Sequence, residues 1–253
     1  MPDTALIWEQ LRRSLVIARK DIRIYYSKGP VIIFGLLFPV FLFLSFTIGR
    51  HMTIDSMIPG LLGIILFFTA TSISPIVMPW EAQARTLERL MSCPVKFEAI
   101  ILGDMLASCI FGVAISLVTI IIGLALGITI TDALIFSFAI ILASLCFASL
   151  GNIFSIPPTN LPATVNMIAA TVKFPVVFVS GIFIPLDELP AWGREIAYIS
   201  PLTYFTDITR SCVQGKGYLL SITDFVALIG FIIIFTLVAM HMHKKTMPVR
   251  IST

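Results

Sequence analysis

The sequence predicts an all-α integral membrane protein, with six transmembrane helices, an N-terminal amphipathic interfacial helix and a re-entrant helical hairpin before the last span. Hydrophobic residues make up 58% of the chain and charged residues 12%, where a soluble domain carries about 25% charged. Mean hydropathy is +1.01. Apolar runs recur near the roughly 20 residues that a helix needs to cross a bilayer. They fall at about Val31–Ile48, Met57–Met78, Ala99–Leu126, Ala133–Phe154, Thr164–Ile184 and Ile222–Met240. Lipid offers the backbone no hydrogen-bond partners, which favours helices, and no alternating pattern of about ten residues marks a barrel. Residues 1–253 read as one transmembrane domain.

Residues 1–30 come first. Trp8, Leu11, Leu15, Ala18, Ile22 and Tyr25 recur at helical spacing on one face, with Arg12, Arg19, Lys20 and Arg23 off it. A basic amphipathic helix of this kind lies in the headgroup plane. The first 28 residues lack the apolar core and cleavage site of a secretory signal, so no cleavable leader is expected.

Six spans put both termini on one side, together with the loop between the second and third spans. That side collects Arg12, Arg13, Arg19, Lys20, Arg23, Lys28, Arg85, Arg89, Lys96, Lys244, Lys245 and Arg250; the other has Arg50, Arg194, Arg210 and Lys216. The positive-inside rule makes the richer side cytoplasmic. The net charge of +3 follows from topology and lipid contact, and nothing points to nucleic acid.

Residues 80–98 form a charged island between two apolar runs. Good helix formers extend from Trp80 to Met91 without Pro or Gly, which predicts one short helix ended by Pro94. Glu81 and Arg85 are spaced as an i, i+4 pair, and Leu87, Leu90 and Met91 form an apolar stripe. A solvated connector accounts for the charges; a docking helix accounts for the stripe as well.

Lys173 falls near the middle of the fifth span, where a charge costs roughly 2.5–3.5 kcal/mol on insertion scales. It is either a pathway residue or a side chain snorkelling from a late-starting span past Pro175. Residues 181–217 are too apolar for an outer loop and too broken for a span. Pro190 starts a short helix with Trp192, Ile196 and Ile199 on one face. Ser200-Pro201 starts another carrying Leu202, Phe205, Ile208 and Thr209. The pair fits a re-entrant hairpin, or an interfacial loop anchored by its aromatics.

The four cysteines are scattered, with Cys212 placed outside, and no disulfide or metal site is expected. His241 and His243 sit at the interfacial end of the last span, apart from external His51. No phosphate-binding G-x-x-x-x-G-K-[ST] loop and no hydrolase motif is present, so the chain is not expected to hydrolyse ATP itself.

Two motifs carry a resemblance. The first is Glu81, then Thr86-Leu87-Glu88, Leu90 and Pro94-Val95. The second is Ser180-Gly181, Pro185, Leu189-Pro190, Pro201-Leu202-Thr203-Tyr204 and Arg210. With these the whole chain resembles the membrane subunit of ABC-2 type exporters, the family of daunorubicin-resistance-like and polysaccharide or nodulation-factor export permeases. Two positions depart from its pattern: Arg85 stands where Gly is usual, and Asp104 where Lys is common after Gly103.

The resemblance implies two such permeases, identical or homologous, forming a pathway through the cell membrane. Two ATP-binding subunits would sit beneath them and hold the ATP and Mg; this chain would need no cofactor. Glu81, Arg85, Thr86, Leu87, Glu88, Arg89, Leu90 and Pro94 would form the coupling helix, with Glu88 and Arg89 as charged contacts and Leu87 and Leu90 as apolar anchors. Lys173, Phe174 and Phe178 would line the pathway. The segment 185–217, with Pro185, Pro190, Trp192, Pro201, Tyr204 and Arg210, would cap the outer exit. Apart from the resemblance, the Gly123-x-x-x-Gly127 spacing in the third span suits a close helix contact. The cargo would be an amphipathic drug, lipid or glycan. The rival reading is a self-sufficient secondary transporter or channel, which needs midplane acids or matched inverted repeats.

Overall fold

A computed structural model describes residues 2–26, 28–48, 54–184 and 186–252. Every regular element among the described residues is a helix: α1 (Pro2–Tyr25), α2 (Gly29–Ile32), a π turn (Ile33–Leu37), α3 (Phe38–Thr47), α4 (Ile54–Ser72), α5 (Ser74–Gln83), α6 (Thr86–Met91), α7 (Phe97–Ala125), α8 (Ala133–Phe154), α9 (Pro162–Val179), α10 (Ala191–Ala197), α11 (Pro201–Gln214) and α12 (Ser221–Ser252). Five stretches are long and apolar enough to cross a membrane: Ile54–Gln83, Phe97–Ala125, Ala133–Phe154, Pro162–Val179 and Ser221–Thr246. The remaining run expected to span, Val31–Ile48, is helical but interrupted by the π turn.

Stretch Ile54–Gln83 is the central post, its most apolar window 94% buried. Helices α7, α8 and α11 pack around α4. Two glycines let neighbours approach closely. A Cβ on Gly63 would lie 2.7 Å from Thr206 on α11, and one on Gly112 of α7 would lie 2.6 Å from the Ser144 hydroxyl on α8. The Gly123/Gly127 pair is different from expectation. Gly123 does pack against Ile58, but Gly127 lies beyond the end of α7 with φ +92° and open space around it. It turns the chain; it makes no helix contact.

Prolines shape the helices and also their cross-links. Proline has no N–H for the carbonyl four residues earlier, and in lipid that carbonyl needs another donor. Three such carbonyls are met by side chains from a different helix. Thr69 Oγ1 donates to Gly35 O, four before Pro39, at 2.9 Å. Gln214 Nε2 donates to Asp55 O, four before Pro59, at 3.0 Å. Lys173 Nζ donates to Thr71 O, four before Pro75, at 2.8 Å.

Helix α1 lies along α7 through a face that takes in only part of its apolar stripe. Trp8 is 74% exposed, and Leu11 and Leu15 are exposed with it, while Ser14, Ile17, Ala18, Asp21 and Tyr25 are buried. The reason is backbone proximity. A Cβ on Gly103 would meet Ile17 at 2.7 Å and Ser14 O at 3.0 Å, and Ser14 Oγ donates to Ala99 O at 2.9 Å. Small residues win the contact because they let the helices touch.

The end of α12 returns to the same end of the bundle, where Lys244 pairs with Glu98. His243 is not interfacial: it is fully buried, with Nε2 at 2.9 Å from Asn152 O and 3.0 Å from Ser155 Oγ at the end of α8. At the opposite end α10 and α11 start where Pro190 and Ser200-Pro201 place them, with Leu202 N donating to Ser200 Oγ. The predicted apolar residues of α11 are buried, and so is Cys212. Pro185 and His51 lie outside the described residues.

Candidate functional site

The charged island is built in two pieces, where one helix was predicted. Helix α5 carries Trp80 and Glu81 and ends at Gln83; α6 starts at Thr86. Between them Arg85 takes a left-handed backbone (φ 53°), the one such non-glycine among the described residues. Helix propensity did not register this reversal, which is driven by packing: it folds α6 back so that Leu87 is 2% exposed and Thr86 Oγ1 donates to Glu81 O at 3.2 Å. A left-handed non-glycine costs roughly 1–2 kcal/mol, which explains why a Gly suits this position.

The predicted Glu81–Arg85 pair does not form. Glu81 is buried and takes a hydrogen bond and ion pair from Lys20 of α1. Lys20 Nζ also lies 3.0 Å from Asp21 Oδ1. Burial works against the Lys20 ammonium, but the Asp21 and Glu81 carboxylates outweigh it and hold its pKa above the ordinary lysine value. The Tyr25 ring stacks on Trp80 with centroids 5.5 Å apart, and Lys28 Nζ sits 4.2 Å over the Trp80 ring. Beyond α6, Arg13 donates to Pro94 O and Lys96 N donates to Gln10 Oε1 at 3.2 Å. Helix α1 therefore grips the island on both sides.

This grip sorts the predicted coupling residues. Arg85, Thr86, Glu88, Arg89 and Pro94 face outward; Leu90 is half-buried; Glu81 and Leu87 are turned inward. Leu87 is thus a core residue of the island, and Met91 is the exposed apolar residue of α6. Among the described residues Arg85, Glu88 and Arg89 enter no ion pair within the chain.

Sequence reasoning missed Asp21 and left Asp104 without a partner. Both are buried, and Asp104 lies close enough to Asp21, Glu81 and Lys20 to feel their charges. The signal was the small-residue face of α1 opposite Gly103-Asp104.

Lys173 does not snorkel. Helix α9 starts at Pro162, continues past Pro175, and turns Lys173 inward until it is 5% exposed. Its Nζ lies 5.9 and 6.0 Å from the Phe68 and Phe154 ring centroids. Phe174 meets Phe38 and Phe68 with centroids 5.6 and 6.2 Å apart, while Phe178 is exposed near Phe183.

At the far end the second motif's residues hold loops in place. Arg210 donates to Gly181 O at 2.7 Å and Ile182 O at 3.3 Å. Tyr204 OH donates to Tyr198 O at 2.8 Å, and Thr203 Oγ1 donates to Ala197 O, four before Pro201, at 2.6 Å. Pro201 is buried; Pro190 and Trp192 are exposed. Asp207, unremarked in the sequence, accepts from Tyr218 N and Leu219 N at 2.8 and 2.7 Å.

A family model described as ABC-2 type transporter matches residues 7–213, from the grip of α1 through α11. The chain belongs to the ABC-2 transporter permease family. It is a multi-pass membrane protein of a family that lacks an ATPase domain. This permease is also similar to two Escherichia coli proteins, from strain K12 and from O157:H7, each described as the probable multidrug ABC transporter permease YbhR. Each is 23% identical over 156 residues, covering 60% of this permease and 42% of the relative. The match thus takes in less than half the length of those relatives.

Proposed function

We propose that this chain is the membrane-spanning subunit of an ATP-driven exporter, moving an amphipathic compound out of the cytoplasm when paired with separate ATP-binding subunits. The observation that carries this reading is the outward face of α6. Arg85, Glu88 and Arg89 form a charged surface without ion pairs among the described residues, on a segment gripped by α1. A connector has no need of such bracing, whereas a lever that transmits force does.

In this reading Gly29–Thr47 is the first of six spans, and both termini are cytoplasmic in the plasma membrane. The meeting of α1, the island and the end of α12 at one end of the bundle supports that arrangement, because an even number of crossings returns the chain to its starting side. The exposed Trp8, Leu11 and Leu15 of α1 would enter the headgroup region. Residues 185–217 would dip back into the outer leaflet over the exit, held by Arg210 and Tyr204. Two permeases, identical or homologous, would enclose the pathway beside Lys173, Phe174 and Phe178, and two ATP-binding subunits would hold the ATP and Mg. Closure of the ATPases would push on α6 and tip the spans between two states. The multidrug description of its relatives supports an amphipathic drug as cargo; lipids and glycans are alternatives of the same kind.

The test is a mild-detergent pull-down of the full chain from its host's membranes, with mass spectrometry, beside a Glu88→Arg, Arg89→Glu double variant. A stoichiometric P-loop ATPase that the variant loses is the expected result. A chain that stays intact and assembled with no ATPase would sink the proposal and favour a self-sufficient transporter.

A further inference from the structure

Lys173 places an ionisable amine at the depth of the spans with no carboxylate paired to it among the described residues. An ammonium has three N–H donors; one is on the neutral Thr71 carbonyl. Closing the gap left by Pro75 does not call for charge. The equivalent carbonyls before Pro39 and Pro59 are met by the neutral side chains of Thr69 and Gln214. An ionisable amine at Lys173 is therefore more than that structural task requires.

The same side chain lines a cavity of about 100 Å³ between α3, α4 and α9, with Phe38, Phe68, Ser72, Asn166 and Phe174. Drug-sized ligands occupy roughly 300–1,000 Å³, so this space admits a head group and not a whole cargo. Desolvation disfavours the ammonium form of a buried amine that has no counter-ion. An anion that enters supplies that counter-ion, and the phenylalanines offer apolar surface to whatever chain it trails.

We propose that the Lys173 cavity is an anion-selective subsite, taking the carboxylate, sulfonate or phosphate head of an amphiphile whose apolar body lies along Phe38 and Phe174. This rests on the exporter reading and names the charge class of its cargo. Cationic drugs are excluded from the subsite by the same charge.

The test uses the purified full chain in phosphatidylcholine nanodiscs and three fluorescent probes: a dansyl-labelled long-chain fatty acid, its methyl ester, and the amine of the same chain length. The acid is expected to bind about tenfold more tightly than the ester, a factor equal to 1.4 kcal/mol, and the amine most weakly. Lys173→Gln, which keeps a donor for Thr71 O, is expected to abolish the preference for the acid and leave the ester's affinity within about twofold; Lys173→Arg should retain it. Adding phosphatidylglycerol to the nanodiscs separates sources. Competition with the acid assigns the subsite to an anionic lipid head, and its absence assigns it to a free amphiphile. Equal binding of acid and ester by the wild-type chain, no saturable acid binding, or a preference that survives Lys173→Gln would overturn the proposal. Probe binding needs no ATPase, so this failure is distinct from failure of the pull-down.

Discussion

Replacing Gly103 by alanine tests whether the grip of α1 on α7 depends on backbone contact. The new Cβ would lie 2.7 and 2.8 Å from Ile17 side-chain carbons and 3.0 Å from Ser14 O. Ordinary contact begins about 0.5 Å further out, and one of these atoms is backbone, so a rotamer change is not enough and α1 has to shift. Overpacking of this kind costs about 1–3 kcal/mol. The Ser14 Oγ to Ala99 O bond lies one turn away and its loss adds about 1 kcal/mol. A total of about 2–4 kcal/mol falls on the α1–α7 contact, and the Lys20–Glu81 and Arg13–Pro94 links to the island move with it. Trypsin cleavage within α1, at Arg12, Arg19 or Arg23, reports local release in the purified chain and should accelerate by more than about tenfold. ATP-binding subunit recovered in the pull-down should fall in parallel. In an Ile17→Ala background the alanine at 103 has room on one side, and its penalty should shrink by about 1 kcal/mol or more. A penalty that is absent in the wild-type background, or unchanged with Ile17 truncated, would refute the contact.

Two further outcomes follow from the island. Lys20→Met strips the cation from the buried Glu81 and Asp21 carboxylates and is expected to cost about 3 kcal/mol. Lys20→Met with Glu81→Met should recover part of that loss, as measured by thermal unfolding of the purified chain; a double variant no more stable than the single one would show that the pair is not what holds α1 to the island. Arg85→Gly removes the left-handed strain and Arg85→Val worsens it, so their melting temperatures should straddle that of the wild type, about 1 kcal/mol apart or more. If valine is tolerated as well as glycine, the left-handed turn is not kept in the folded chain.

Much of the fold was legible because the bilayer imposes length and polarity on each crossing. The runs expected for the second to fourth spans match Ile54–Gln83, Phe97–Ala125 and Ala133–Phe154 to within a few residues, apart from the five-residue extension of the first into the island. Pro190 and Ser200-Pro201 announced α10 and α11. Lys173 stood out as an intramembrane charge, although its snorkelling alternative failed once α9 began at Pro162. Other features were hidden. Glu81 was paired in sequence with Arg85, four residues on, when its partner is Lys20, 61 residues back. Leu87 looked like an exposed anchor and is a buried one, because nothing local marks the reversal at Arg85. His243 looked interfacial and instead fastens α12 to α8.

The sequence alone determined the solvent of this protein, the lengths of its crossings, its family through two separated motifs, and the prolines that leave carbonyls without donors. Only the tertiary structure decided which way the side chains face. In water, an apolar stripe marks the buried side of a helix. In a bilayer, lipid and protein are equally apolar, so an apolar stripe does not by itself choose the buried face, and close approach of backbones helps decide it. That is why Ser14, Ala18 and Gly103 lie inside while Trp8 and Leu15 lie outside. It is also why the donors for Gly35, Asp55 and Thr71 came from helices that no local pattern connects to them.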